Sequence, residues 1–145
     1  MELRVINADR LILGRLATRV AKMLLRGESV IIVNAEKAVI SGRKRFLIDH
    51  YKKRQEIRTH TNPVRGPMWP KIPNRFVRRT IRGMLPFKRP RGRDAFRNLK
   101  VYTGVPETLN IDASTFETFA EASLDHLKGR FMVISELMRE LGWKY

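Results

Sequence analysis

The alternation of hydrophobic and polar residues predicts a strand, a helix and a second strand in the first quarter of the chain. Residues 3–6 have the pattern of a short strand, and residues 30–33 (VIIV) have that of a strand buried on both sheet faces. Between them, apolar residues recur at helical spacing over residues 14–26, and Gly27 ends this helix. Strand, helix and strand at this spacing predict a βαβ unit, in which the two strands are parallel.

Further elements are predicted along the rest of the chain, whose 145 residues suit a single domain covering residues 1–145. They lie at residues 37–40 (strand), 43–53 (helix), 74–85 (helix), 94–99 (helix), 100–102 (strand) and 136–141 (helix). Residues 59–73 contain four of the seven prolines and predict a loop, which at this length is uncommon unless functional or disordered. Residues 106–145 form an acidic C-terminal segment that includes the final helix.

The helix predicted at residues 74–85 has two unlike faces. Four arginines at i, i+3, i+4, i+7 spacing share one face, and they are Arg75, Arg78, Arg79 and Arg82. The opposite stripe, which we expect to face the core, consists of Val77, Ile81, Met84 and Leu85. Like charges at this spacing destabilise an isolated helix by about 0.2–0.5 kcal/mol per pair. Phosphate groups opposite the helix would offset this cost, because the planar arginine fork holds two phosphate oxygens.

The positive charge of the chain is concentrated around this helix. The formal net charge is +16, from 30 Lys and Arg against 14 Asp and Glu. Residues 43–100, here called the basic region, hold nineteen of these cations and three carboxylates, whereas residues 101–145 have more carboxylates than cations. The alternative interpretation is that these cations form a charged surface exposed to water, but the three carboxylates are too few to neutralise nineteen cations. A polyanionic partner is therefore expected for the basic region.

The residues that carry chemistry do not indicate an enzyme. The chain has no cysteine, which excludes disulfides, thiol nucleophiles and cysteine-ligated metals. His50, His60 and His126 are scattered without metal-ligand spacing, and no phosphate-binding or dinucleotide-binding glycine motif is present. We therefore expect no catalytic activity, no cofactor or metal, and no small-molecule substrate.

The sequence also lacks features of a membrane protein. It begins with charged residues, unlike a signal peptide, and its longest aliphatic run, residues 30–33, is too short to span a bilayer. A soluble, cytoplasmic protein with no membrane partner is expected.

The arrangement of the basic residues favours RNA over DNA as the partner. Charge alone does not separate the two nucleic acids. The sequence has no helix-turn-helix, zinc-finger, basic-zipper or RNA-recognition-motif pattern. Its cations lie on predicted helices, on the proline-rich loop and on a basic loop at residues 87–93. This distribution suits a folded RNA that is held by its shape and its phosphates.

Two residues outside the arginine-rich helix have two interpretations each. Trp69 either stacks on an RNA base or ribose, or packs against the protein core. Arg15 lies near the start of the helix predicted at residues 14–26, where free backbone N–H groups also favour phosphate. The alternative for Arg15 is a solvated helix face shared with Arg19, Lys22 and Arg26.

Several motifs, in order along the chain, resemble one protein family. The stretch IRGMLP at residues 81–86 is followed by Gly-Arg at 92–93, LKVY at 99–102 and Gly104. Upstream lie GRLAT at 14–18, VNAEK at 33–37 and Ser-Gly at 41–42. Together they resemble the ribosomal protein L-thirteen family of the large subunit, over residues 3–105 and the tail near Trp143. The segments TNPVRGP at 61–67 and FKRPRG at 87–92 look like the archaeal and eukaryotic branch, and the short length looks archaeal.

The resemblance implies a fold, a role and partners. The fold is a three-layer α/β/α domain with a central, mostly parallel four-stranded sheet and a basic helix and loop region. The role is that of a non-enzymatic structural constituent of the large subunit, which binds large-subunit rRNA and takes part in early assembly. The implied partners are that rRNA and neighbouring large-subunit proteins, including protein L-three, and the location is the cytoplasmic ribosome.

The residues and the resemblance together give a set of expected rRNA contacts. They are Arg15, Arg43, Lys44, Arg45, Arg65, Trp69, Lys71, Arg75, Arg78, Arg79, Arg82, Lys88, Arg89, Arg91 and Arg93. The apolar part of residues 81–86 is assigned to packing, and one interpretation of Gly83 is that it permits close packing of helices. Two alternatives to a ribosomal protein remain at this point: a free-standing nucleic-acid chaperone, and an enzyme that acts on RNA.

Overall fold

The computed structural model of the protein describes residues 2–144. The strands are β1 (Leu3–Asn7), β2 (Ser29–Val33), β3 (Val39–Ser41), β4 (Leu99–Val101) and β5 (Phe131–Val133). The helices are α1 (Leu13–Leu25), α2 (Lys44–Glu56), α3 (Pro73–Met84), α4 (Pro90–Arg97) and α5 (Ile134–Glu140). None of the helices in this part of the chain has both the length and the apolar character needed to cross a membrane.

The main sheet is parallel, with the strand order β1-β2-β4. Val5 lies opposite Ile31 across the β1–β2 pair, and Val30 lies opposite Leu99 across the β2–β4 pair. The predicted βαβ unit is confirmed, since α1 connects two adjacent parallel strands. Helix α1 ends where expected, and Gly27 follows it with a φ of 94°, a backbone conformation that favours glycine.

This sheet has three strands in the described residues, where four were expected. Strand β3 pairs instead with β5 in an antiparallel two-stranded sheet. Between β2 and β3 the chain turns sharply, since Asn34 has a φ of 55° and a 3₁₀ turn follows at Ala35–Lys37. Val39 then donates its backbone N–H to the Leu11 carbonyl, a few residues beyond β1. The free edge of β1 is partly covered by Glu117, which donates its backbone N–H to Val5 and accepts a hydrogen bond from Asn7.

The two faces of the main sheet are covered differently. On one face Ile6, Ile32 and Leu99 join a large apolar core with helices α1 and α3. On the other face, Val5, Ile31 and Val33 pack against side chains from the segment after β4, including Leu109 and Phe116. This segment consists of coil and single 3₁₀ turns, so in residues 2–144 no layer of α-helices covers this face. The expected three-layer arrangement is therefore not confirmed.

The connection from α3 to α4 differs from the basic loop predicted at residues 87–93. Helix α4 begins at Pro90, whose fixed φ and missing N–H suit the first position of a helix. Gly92 in α4 lies against the preceding turn, so a Cβ atom there would overlap the carbonyl group of Pro86. Gly92 is therefore the close-packing glycine of this motif. A Cβ atom at Gly83 would meet no atom within 4 Å, so the packing interpretation of Gly83 is wrong.

Candidate nucleic-acid interface

Helix α3 presents its arginines to solvent because its other face is held in the core. Val77, Ile81 and Leu85 are buried, as the predicted stripe requires, whereas Met84, at the last position of the helix, is 42% exposed. Phe76, which was not part of that stripe, is buried as well. On the opposite side Arg75, Arg78 and Arg82 are exposed and Arg79 is half-buried. These four residues are called the arginine face below. The helix and its two faces are thus confirmed.

Three members of the arginine face lie on aromatic rings from three different segments. The pairs are Arg78 over Phe96 at 4.5 Å, Arg79 over Trp69 at 3.8 Å and Arg82 over Phe87 at 4.3 Å, measured from Cζ to the ring centroid. Phe87 and Phe96 also contact each other edge to face at 5.5 Å. Each such contact contributes about 0.5–1 kcal/mol at an exposed position, and it restricts the guanidinium to fewer orientations. Trp69 was among the residues expected from the sequence to contact RNA, whereas Phe87 and Phe96 were not identified as part of the site.

The arginine face has no neutralising carboxylates. Within residues 2–144, none of its four guanidinium groups has a carboxylate oxygen within 4.0 Å. Arg79 donates a hydrogen bond to the backbone carbonyl of Met68, which fixes the loop before α3 but neutralises no charge. An external anion is therefore the natural counter-ion of this surface.

The environment of Arg79 shows the electrostatic consequence of this crowding. The pKa of the Arg79 guanidinium is lowered from its ordinary value, first by burial and then by the positive charges of Arg82 and Arg54. Arginine nevertheless stays protonated in proteins, so the repulsion persists in the folded state. A phosphate bound at this surface would reduce the repulsion and would compensate for the lost hydration.

Trp69 connects the proline-rich loop to the arginine face. Its half-buried ring lies 6.2 Å from the ring of Tyr51 in α2 and also carries Arg54, whose Cζ is 4.7 Å from the centroid. Burial raises the pKa of Tyr51, and the charge of Arg54 partly opposes this shift. These contacts agree with the interpretation that Trp69 packs against the protein. Its contact with RNA stays a prediction.

Two concave regions flank the arginine face. The α3–α4 concavity, of about 700 Å³, is lined by the cations Arg79, Arg82, Lys88 and Arg89 and by no carboxylate. The loop concavity, of about 1070 Å³, lies between the end of α2, the proline-rich loop and the start of α3. Its charged lining residues are Lys52, Glu56, Arg58, Lys71 and Arg75. The structure thus brings Lys88, Arg89 and Lys71 next to the arginine face, and their contact with RNA stays a prediction.

The residues predicted to contact RNA did not include three further cations of this area, Lys52, Arg54 and Arg58. The run Lys-Lys-Arg at residues 52–54 was the available signal, but a basic helix end is common on solvated surfaces. Their proximity to Trp69 and Arg75 depends on how the proline-rich loop folds back on α2, which no local pattern predicts.

The remaining predicted residues lie outside both concave regions. Arg43, Arg45, Arg65 and Arg93 are exposed, and no carboxylate lies within 4.0 Å of them in the described part of the chain. Lys44 pairs with Glu136 at 2.9 Å, so its charge is partly neutralised. Arg91 donates to the Leu25 carbonyl at 3.3 Å, and Arg15 donates to the Glu121 carbonyl at 3.2 Å.

No group of three His, Asp or Glu side chains that could hold a metal ion occurs between residues 2 and 144. The chemistry that the surface does offer is that of guanidinium and ammonium donors next to aromatic planes. This combination binds phosphates through charge-assisted hydrogen bonds and can contact sugars or bases through the rings.

Comparison with known proteins agrees with the motifs. A model of the family described as Ribosomal protein L13 matches residues 1–108. A protein of Methanosarcina barkeri is 48% identical over 143 residues, which are 97% of this chain and 99% of the relative. A protein of Methanocaldococcus jannaschii is 43% identical over 142 residues, which are 97% of this chain and 98% of the relative. Both are named large ribosomal subunit protein uL13. With this family match and these archaeal relatives, the chain belongs to the ribosomal protein L13 family and is of the archaeal type expected from its motifs.

Proposed function

We propose that this protein is a structural constituent of the large ribosomal subunit that binds large-subunit rRNA through contacts of arginine and lysine with phosphates. The observation that supports this most directly is the arginine face, which has no neutralising carboxylates and is braced by aromatic rings. Membership of the ribosomal protein L13 family and the names of the archaeal relatives support the large subunit as its location.

The arrangement of cations favours a folded RNA over a regular duplex. The cationic groups lie on a helix face and in two adjoining concave regions, rather than on one helix that fits a groove. Cations distributed over a concave surface follow phosphates that approach from several directions, as in the irregular folds of ribosomal RNA. On this basis the protein recognises the shape of its RNA site and performs no catalysis.

Neighbouring large-subunit proteins, including protein L-three, complete the proposed environment on a cytoplasmic ribosome, where the protein joins during early assembly. Exposed apolar side chains of the proline-rich loop support a protein contact of this kind. Val64 is 80% exposed and Met68 is 74% exposed. Exposed aliphatic side chains of this size are covered more effectively by a protein neighbour than by RNA phosphates.

The test compares incorporation of the native protein with that of a charge-reversal variant. We expect the native protein to cosediment with large subunits from gentle lysates. We expect Arg78→Glu combined with Arg82→Glu to abolish cosedimentation, because two phosphate donors become two repelling carboxylates. Its thermal midpoint should change little, because relief of the repulsion between like charges on α3 offsets the loss of two exposed cation–π contacts.

The matched control is Lys128→Glu combined with Arg130→Glu, which makes the same charge change at two exposed positions in the C-terminal segment. This control should still cosediment. A native protein that sediments apart from large subunits would show that the proposed function is wrong. Equal loss in both double variants would show that net charge, rather than the arginine face, controls incorporation.

A further inference from the structure

Gly83 is a glycine that the fold of this chain does not require. It is the penultimate residue of α3, it is exposed, and a Cβ atom there would meet no heavy atom within 4 Å. Its φ is not positive, so alanine can adopt the same helical conformation. Glycine in a helix loses more conformational freedom on folding than alanine does. The described fold therefore gives no reason for glycine at this position.

Several other glycines of the chain have reasons within the fold. A Cβ atom at Gly92 would overlap the Pro86 carbonyl, and Gly27 and Gly104 have positive φ values of 94° and 66°. Gly14 and Gly129 are as open as Gly83, but neither lines one of the two cationic concave regions. Gly83 is distinguished by its surroundings, because it lines the α3–α4 concavity.

The surroundings of Gly83 are strongly cationic and favour an anionic ligand. Four cations line the concavity, two from α3 and two from the segment before α4. Within residues 2–144, no hydrogen bond or ion pair engages the side chains of Arg82, Lys88 or Arg89. The last carbonyls of α3 carry about half a negative charge, which four full positive charges outweigh. The donors of Arg82, Lys88 and Arg89 are thus free for an external acceptor.

We propose that Gly83 marks the place where the sugar–phosphate backbone of the RNA comes closest to α3, with a phosphate held between Arg82 and the pair Lys88 and Arg89. A side chain at position 83 would occupy the space that this phosphate needs. The inference rests on the proposed function and deepens it, since it assigns one point of RNA contact within the α3–α4 concavity.

The test is a competition between the native protein and variants with a side chain at position 83. Differently isotope-labelled native and variant proteins are mixed in equal amounts with deproteinised archaeal large-subunit rRNA and the other large-subunit proteins. The ratio of the two labels is then measured in the sedimented particles. We expect the native protein to be preferred severalfold over Gly83→Ala and about tenfold over Gly83→Gln. The matched control, Gly129→Gln, should be incorporated as well as the native protein.

Two further measurements separate RNA contact from effects on the fold or on protein neighbours. The thermal midpoint of Gly83→Ala should rise by about 1–4 °C, because alanine favours the helix. The ratio of native to variant protein in the particles should also approach one as the KCl concentration is raised, because salt weakens phosphate contacts.

Each contrary result has a distinct meaning. Equal incorporation of native protein and Gly83→Gln would overturn the inference and leave the proposed function intact. A lowered thermal midpoint would show that Gly83 serves the fold, and a preference independent of salt would show that it faces a protein neighbour; both overturn the inference. Absence of the native protein from the particles would overturn the inference and the proposed function together.

Discussion

Individual arginines of α3 differ in how firmly their side chains are held. Arg79 is half-buried, donates to the Met68 carbonyl and lies on the ring of Trp69. In the described part of the chain the Arg75 side chain has no such contact. A guanidinium that is already restricted loses less rotational freedom when it binds a phosphate. The three arginines that lie on rings are therefore better preorganised for RNA binding than Arg75.

Replacing Trp69 by alanine removes the ring that holds both Arg79 and Arg54. We expect the free energy of unfolding to fall by about 1–3 kcal/mol, because a half-buried aromatic side chain and two cation–π contacts are lost. We also expect weaker binding to deproteinised large-subunit rRNA, since Arg79 is no longer fixed. Denaturant unfolding and RNA titration measure the two effects.

The matched control for this variant is Trp69→Phe, which keeps an aromatic plane at the same position. It should restore most of the stability and most of the RNA affinity. If Trp69→Ala lowers stability but leaves RNA affinity unchanged, Trp69 serves the fold alone, and neither base stacking nor preorganisation of Arg79 contributes to binding.

The arginine face and Trp69 could be predicted from the sequence as candidate site residues, whereas Phe87, Phe96 and the pairing of rings with arginines could not. Regular i, i+3, i+4, i+7 spacing is a local property, and it identified all four arginines. Phe96 contacts Arg78 only because the turn after α3 brings α4 within reach of the long Arg78 side chain. Contacts of this kind depend on tertiary structure, and an isolated phenylalanine in a sequence is most often a core residue.

At the scale of elements, the turn between α3 and α4 determines how the cationic side chains are grouped. Leu85 and Gly92 are buried on either side of it, whereas Lys88 and Arg89 are exposed. The stretch at residues 87–93 resembles a loop in its content of proline, glycine and arginine. It nevertheless starts a helix, because Pro90 takes the first helical position.

Gly92→Ala tests how tightly this turn is packed. The added methyl group would overlap the carbonyl of Pro86 and lie 2.9 Å from the backbone nitrogen of Phe87. Since backbone must move to accommodate it, we expect a destabilisation of about 1–3 kcal/mol in denaturant unfolding. Gly129→Ala, at a position with open space, is the control and should be neutral. A Gly92→Ala midpoint equal to that of the native protein would contradict the close approach.

Strand β3 shows what a local pattern leaves undetermined. A strand was predicted in this part of the chain and is found there, but it pairs with β5 rather than joining the main sheet. The partner strand, β5, lies near the other end of the chain, and β3 follows the sharp turn at Asn34. Hydrophobic alternation determines which residues are extended and buried, but strand pairing depends on contacts between distant segments.

At the scale of the whole molecule, the arginine in β1 has carboxylate partners, whereas the arginine face has none in the described residues. Arg4 in β1 pairs with Glu2, Glu28 and Glu117, and the pKa of Arg4 is raised, first by Glu2 and then by Glu28. The pKa of Arg79 is lowered by burial and by like charges. The protein thus neutralises Arg4 in the main sheet, whereas the described residues provide no carboxylate within 4.0 Å of the arginine face. The charge distribution along the sequence already indicated this asymmetry.

This asymmetry predicts a steep dependence of RNA affinity on salt. Neutralising about six to ten phosphates implies a loss of affinity of about 10³- to 10⁵-fold between roughly 50 and 200 mM salt, because bound counter-ions are released from the RNA. The measurement is a titration of deproteinised large-subunit rRNA at several KCl concentrations.

Arg78→Glu combined with Arg82→Glu should reduce the slope of log affinity against log salt by about 2, since each lost phosphate contact contributes about 1. Lys128→Glu combined with Arg130→Glu should retain the native slope, because the structure places this charge change outside both cationic concave regions. Equal slopes for all three proteins would mean that the arginine face does not contact phosphates.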